Sequence, residues 1–120
     1  MQNLKLMPKT NIIINTQVEG IHNWPGCDIK EVEFLKFPHR HLFHICCKKE
    51  VNHDDRDVEI INLKREINSF LESIYAAPNS STLIFGSKSC EMIARELLET
   101  FKLNYCSVLE DGENGAEIIL

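Results

Sequence analysis

The residues best suited to chemistry in this 120-residue chain are its five histidines, three of which crowd into His39-Arg40-His41-Leu42-Phe43-His44. Side chains alternate along an extended strand, so His39 and His41 share one face and His44 takes the other. Two imidazoles about 7 Å apart on one strand face can bind a single metal ion, and a third from a paired strand supplies another corner of a tetrahedron. His22, at the end of an earlier extended stretch, is the candidate third ligand. Three neutral nitrogen donors with one open position suit a catalytic zinc, which polarises a carbonyl or lowers the pKa of bound water. The plainer alternative is a surface His-x-His pair, and the register that decides between the two is not written in either strand alone. By parity, His44 is a packed or partly exposed histidine. His53 lies in the charged turn Asn52-His53-Asp54-Asp55-Arg56-Asp57, where a solvated loop and a His/Asp acid-base pair both fit.

These side chains must be positioned by the elements around them. From Asn11 to His22 the residues alternate, with Ile12, Ile14, Val18 and His22 on one face and Ile13, Asn15, Gln17, Glu19 and Ile21 on the other. Trp24-Pro25-Gly26 ends this first strand, because proline has no amide donor and glycine favours turns. A second extended stretch runs from about Val32 to Val51, with Pro38 marking a bend, bulge or edge, and the two stretches are expected to pair as a long hairpin. Leu63, Ile67, Phe70, Leu71 and Ile74 form the stripe of an amphipathic helix reaching Tyr75. Thr82 to Phe85 is too short to classify. Serines in Gly86-Ser87-Lys88-Ser89 offer caps to a second helix, with Glu91 in its first turn and Ile93, Ala94, Leu97, Leu98 and Phe101 buried. Tyr105 to Leu109 alternates as a third strand, Asp111 to Gly115 is a strong turn signal, and Ala116 to Leu120 returns as a fourth.

The expected fold class is therefore α+β: a single domain over residues 1–120, with a four-stranded antiparallel sheet in the order β-β-α-α-β-β and two helices on one face. Open apolar sheet edges in so small a domain predict a homo-oligomer. The balance of 13 Lys+Arg against 18 Asp+Glu, net charge −5, provides no general field for nucleic acid or an anionic membrane. Five cysteines are an odd number, and the adjacent Cys46-Cys47 pair alternates faces, so the set is no disulfide framework and fits a reducing cytoplasm. Met1 to Thr10 carries lysines without the apolar stretch of a signal peptide, and no run approaches the ~18 apolar residues of a membrane span. The expectation is a cytoplasmic protein without nucleic-acid or membrane partners.

Taken together, His22, the His39-x-His41 pair and the later motifs make the chain resemble the 6-pyruvoyl-tetrahydropterin and 6-carboxy-tetrahydropterin synthase family, from about Ile12 to Leu120. Members of that family have the T-fold, and a histidine at the end of their first strand and a His-x-His on the second hold zinc. Glu59-Ile60-Ile61-Asn62-Leu63-Lys64 is similar to the Asp-Phe-x-x-Leu-Lys-like opening of the family's first helix. Ser89-Cys90-Glu91 matches the Thr/Ser-x-Glu-like start of the second. Glu110-Asp111-Gly112-Glu113-Asn114-Gly115-Ala116 is similar to the stretch whose glutamate anchors the pterin ring, which puts Glu110 in that role, or Glu113 if the turn is shifted. A carboxylate there can accept two parallel N–H bonds from the amino-pyrimidine edge of a pterin or guanine.

The resemblance implies a T-fold-like trimer or hexamer with sites between subunits, zinc as cofactor, and a reduced pterin or purine-derived, nucleotide-like compound as ligand. It departs from the family where protons move. The family's cysteine four residues before the His-x-His is Leu35 here, and Ala76-Ala77-Pro78-Asn79-Ser80-Ser81 lacks the family's Asp-His pair. Cys27 and His53 are the candidate replacements as acid-base groups. Ser89 and Cys90 are candidate substrate contacts, the thiol of Cys90 lying at a helix N-terminus where the dipole lowers its pKa. Plain alternatives remain for each: a helix cap for Ser89 and a small buried hydrophobe for either cysteine. Two functions stay open, a zinc-dependent lyase of the tetrahydropterin synthase type and a binding or sequestering protein that keeps the pocket without turnover. A third, structural reading has the metal merely organise an oligomer.

Overall fold

The computed structural model describes residues 7–120, and most of the N-terminal stretch Met1 to Thr10 lies outside them. Two strands of equal length, β1 (Thr10–His22) and β2 (His39–Val51), pair antiparallel over their whole length, from Thr10 opposite Val51 to His22 opposite His39. This is the expected long hairpin, with a different connection. Residues 30–36 form a 3-10 segment, where the sequence reads as extended from about Val32. The chain folds back here because the Trp24 amide donates to the Leu35 carbonyl at 2.6 Å and the Asn23 side chain donates to that of Lys36 at 2.9 Å. No residue of the segment is buried, so its apparent strand alternation reflects no sheet face. The strand resumes only after Pro38.

Helix α1 (Ile60–Tyr75) is capped by Glu59, whose carboxylate accepts from the Ile61 and Asn62 amides. Its buried stripe is Leu63, Ile67, Leu71 and Tyr75, whereas Ile74, expected inside, is half exposed. Then follow β3 (Leu83–Gly86), α2 (Cys90–Thr100), β4 (Tyr105–Glu110) and β5 (Asn114–Ile119).

The α+β class holds, and the sheet differs from expectation: among the described residues it has five strands in the order β3-β1-β2-β4-β5 and is mixed. The added strand is the short Leu83–Gly86 segment, which pairs parallel with the end of β1, Gly20 opposite Leu83 and His22 opposite Gly86 across an irregularity. Four residues carry too little periodicity to announce a strand. Burial of Leu83 and Phe85 against the core, and the open edge of β1, make it one.

Period two places Ile14 and Thr16 of β1, Phe43, Ile45 and Cys47 of β2, and Cys106 and Val108 of β4 on one buried face. The stripes of both helices join these residues in a single core cluster. Gly20 is required where β1 crosses it, since a Cβ there would lie 2.5 Å from the Phe85 ring and 2.8 Å from Phe43. Among the described residues no helix is long and apolar enough to cross a membrane.

Candidate metal centre

The same alternation that builds the core continues past it. On β1 the helix-facing positions end at His22, on β2 they begin with His39 and His41, and on β4 they end at Glu110. The pairing of His22 with His39, and of Phe43 with Glu110, therefore gathers four polar side chains where the core face runs out. One ligand atom from each of His22, His39, His41 and Glu110 lies within 4.8 Å of every other. The imidazole centroids form a triangle with sides of 4.6, 5.6 and 5.0 Å. Phe43 floors it, its ring 5.1 Å from that of His22 and 5.8 Å from that of His41.

Each imidazole has its outer nitrogen committed. His22 Nδ1 lies 2.9 Å from the Lys88 carbonyl and His39 Nδ1 2.9 Å from the Phe37 carbonyl. His41 Nδ1 lies 2.7 Å from an Asp111 carboxylate oxygen. A carbonyl accepts only, so Nδ1 of His22 and His39 carries the proton, and the same tautomer follows for neutral His41 beside its carboxylate. All three Nε2 atoms are thereby left as lone-pair donors, an arrangement of outer partners that metal-binding histidines commonly show.

Among the described residues the buried His22 Nε2 has no hydrogen-bond partner, although Glu110 Oε2 lies 2.8 Å away. Two acceptors facing each other at that distance repel unless a cation or proton lies between them. Three imidazole nitrogens and a carboxylate oxygen are the donor set of borderline divalent metals, so the residues fit a metal ion of that class.

Asp111 is the member of the site that sequence reasoning missed. Its carboxylate also accepts from the Leu42 amide at 2.9 Å, and this bond, followed by the one from His41, holds its carboxyl below the usual range. Asp111 adopts a left-handed φ of 56°, just before Gly112 at 73°. The only signal in the sequence was its place in the turn after Glu110. Lys88 was also missed. Its carbonyl orients His22 while its ammonium group is tied to Glu96 at 3.1 Å, and Glu96 in turn accepts from the Tyr75 hydroxyl.

A cavity of about 470 Å³ opens beside the centre, with Trp24, Leu35, Cys90, Ser89, His39 and Glu110 in its walls. Ser89 serves as the cap of α2, accepting from the Met92 amide at 3.2 Å, and contributes to the wall from there. Cys90 is buried at the start of α2, and burial, then the Glu110 carboxylate, push its thiol up to about 12. That reverses the lowering expected at a helix N-terminus: desolvation and a nearby negative charge outweigh the dipole. Cys27 does not line the cavity. Its buried thiol faces the Ile29 and Val32 carbonyls at 3.8 and 3.6 Å, within its own loop. His53 lies beyond the opposite end of β2, roughly 40 Å along the strand from His39, with its Nε2 3.5 Å from Asp57 in an exposed turn. Within one chain neither Cys27 nor His53 reaches the histidine cluster. Glu113 is exposed in the turn and does not line the cavity, whereas Glu110 does, together with Glu91 from the first turn of α2. No protein-family model matches the chain, and no curated protein matches it.

Proposed function

We propose that this chain is a zinc-dependent protein of the tetrahydropterin synthase type, a T-fold-like subunit acting on a reduced pterin or related purine-derived compound. The observation that carries the reading is the convergence of three Nε2 lone pairs, each Nδ1 tied off, beside a cavity that a carboxylate also faces. His22, His39 and His41 would hold the ion. Bound zinc would supply Lewis acidity toward a hydroxyl or carbonyl of the ligand. The chain's own residues orient that ligand: Glu110 offers two oxygens to an amino-pyrimidine edge, and Trp24 and Leu35 provide apolar walls that exclude water.

A homo-oligomer with sites between subunits belongs to the same proposal. Phe34 and Phe37 are 65% and 69% exposed in and just after the 3-10 segment, and Trp24 at the cavity is 45% exposed. Apolar surface of this kind beside a pocket supports burial by a neighbouring copy. A neighbour could also bring the proton-transfer group that the site lacks, His53 being far from it within the chain.

One observation favours the second reading, a pterin- or nucleotide-binding protein without turnover. Leu35 lines the cavity where the family has a cysteine, and the nearest thiol, Cys90, stays protonated. Loss of a general acid or base typically costs ~10²–10⁴ in rate. Incubating the zinc-loaded protein with 7,8-dihydroneopterin triphosphate, and measuring binding and product separately, tests both. Product formation supports the enzyme, binding without product supports the binder, and neither event contradicts the pterin reading altogether.

A further inference from the structure

The Glu110 carboxylate stands in two places at once. One of its oxygens is 2.8 Å from His22 Nε2 and the other 3.6 Å from His41 Nε2, while the same group forms part of the cavity wall. In a tetrahedral site with nitrogen and oxygen ligands at ~2.0–2.2 Å, neighbouring ligand atoms are roughly 3.3–3.6 Å apart. The 3.6 Å distance falls at the top of that range and the 2.8 Å distance short of it, so the carboxylate reaches ligand geometry by drawing back slightly from His22. Among the described residues the buried His22 Nε2 has no hydrogen-bond partner of its own, so its lone pair faces the carboxylate uncompensated. A shared cation accounts for both facts.

We propose that Glu110 is the fourth ligand of the metal centre, and that a heterocycle with an amino-pyrimidine edge draws this carboxylate off and so opens the fourth position. The first half stands on the geometry alone, and the second rests on the pocket reading given above. A ring edge with two N–H donors engages both carboxylate oxygens in parallel. Those are the oxygens that face His22 and His41, so a ring edge that engages both competes with the metal for the same carboxylate. The exchange makes and breaks no covalent bond: the ring keeps its protons, the carboxylate trades a metal contact for two charge-assisted hydrogen bonds, and the freed position faces the cavity. Access to the metal then depends on ligand identity, because a pteridine lacking the 2-amino group has no matching edge and leaves Glu110 in place.

The test uses the full-length protein loaded with cobalt(II), whose visible absorption reports its ligands. Wild type is compared with Glu110→Gln and Glu110→Asp, each checked for native circular dichroism, and each titrated with pterin and with lumazine, which has oxygen in place of the 2-amino group. The expected result is a wild-type cobalt spectrum that differs from that of Glu110→Gln, with cobalt affinity at least tenfold weaker in the variant. Pterin, and not lumazine, then shifts the wild-type spectrum. Identical spectra in wild type and both variants overturn Glu110 as a ligand and leave the pterin reading standing. Pterin that binds, by fluorescence quenching, without changing the wild-type spectrum overturns the displacement. If pterin fails to bind, the displacement and the pterin reading both fall, while a Glu110-dependent spectrum still supports the fourth ligand. The wild-type titrations need no variant, so a misfolded substitution does not spoil the test.

Discussion

The two ends of the sheet's helix-facing surface obey the same register and do opposite things. At one end Ile14, Ile45, Cys47, Cys106 and Val108 meet the stripes of both helices in one apolar cluster, and the buried hydroxyl of Thr16 on the same face donates to the Asn68 side chain at 2.8 Å. At the other end the next positions of the same strands are His22, His39, His41 and Glu110, and a buried nitrogen is left without a hydrogen bond. A core position contributes by removing apolar area from water, so any residue of similar shape serves nearly as well. A site position contributes through one atom aimed at one point, and its neighbours must orient that atom. The difference teaches that the strand scaffold is indifferent to chemistry: what makes the second end a site is the outer hydrogen bonds from Lys88, Phe37 and Asp111.

Substitutions can break or sharpen this contrast. Phe43 belongs to both ends, fully buried and stacked edge-on against His22, His41 and Phe85. Phe43→Ala is expected to cost about 3–5 kcal/mol of stability and to weaken metal binding as well, read by denaturant unfolding and by metal titration. Ile67→Ala, deep in the core and away from the histidines, should cost about 2–5 kcal/mol and leave metal stoichiometry unchanged in the folded fraction. A loss of metal in that variant would erase the distinction between the ends.

Asp111→Ala is the converse case. It frees His41 Nδ1 while Asp111 itself is half exposed, so metal affinity should fall toward the lower end of the ~10–100-fold cost of losing an outer partner, with little change in Tm. Asp111→Glu, able to reach the imidazole again, should restore part of it. Ser89→Ala should do the least, removing a cap at a cost of about 1 kcal/mol, measurable as a small drop in unfolding midpoint with metal retained.

What could be read from the sequence was what repeats along it. The alternation of β1, the His39-x-His41 pair, the stripe of α1 and the turn after Glu110 all carry local periods or turn residues, and they lie where expected except that Ile74 is half exposed and β5 already begins at Asn114. Register carries no such mark, so His22 could be named a candidate and only the pairing with His39 makes it a neighbour. The strand of Leu83–Gly86 exists because of the β1 edge beside it, and residues 30–36 curl because Trp24 and Asn23 hold them, both effects of the whole fold. Asp111 looked like any turn residue, since its partner His41 is 70 positions away. Cys90 showed a helix N-terminus in the sequence and concealed its burial beside Glu110, which sets the direction of its shift.

If the three inward Nε2 atoms bind a metal ion, mass spectrometry of protein purified without added metal, under native and then denaturing conditions, detects it without further assumptions. Wild type should carry one zinc ion per chain in native spectra, absent after denaturation, and His39→Ala should carry none while remaining folded. Wild-type protein without any bound metal, or equal metal in the variant, would contradict that binding and leave the histidines as ordinary strand residues.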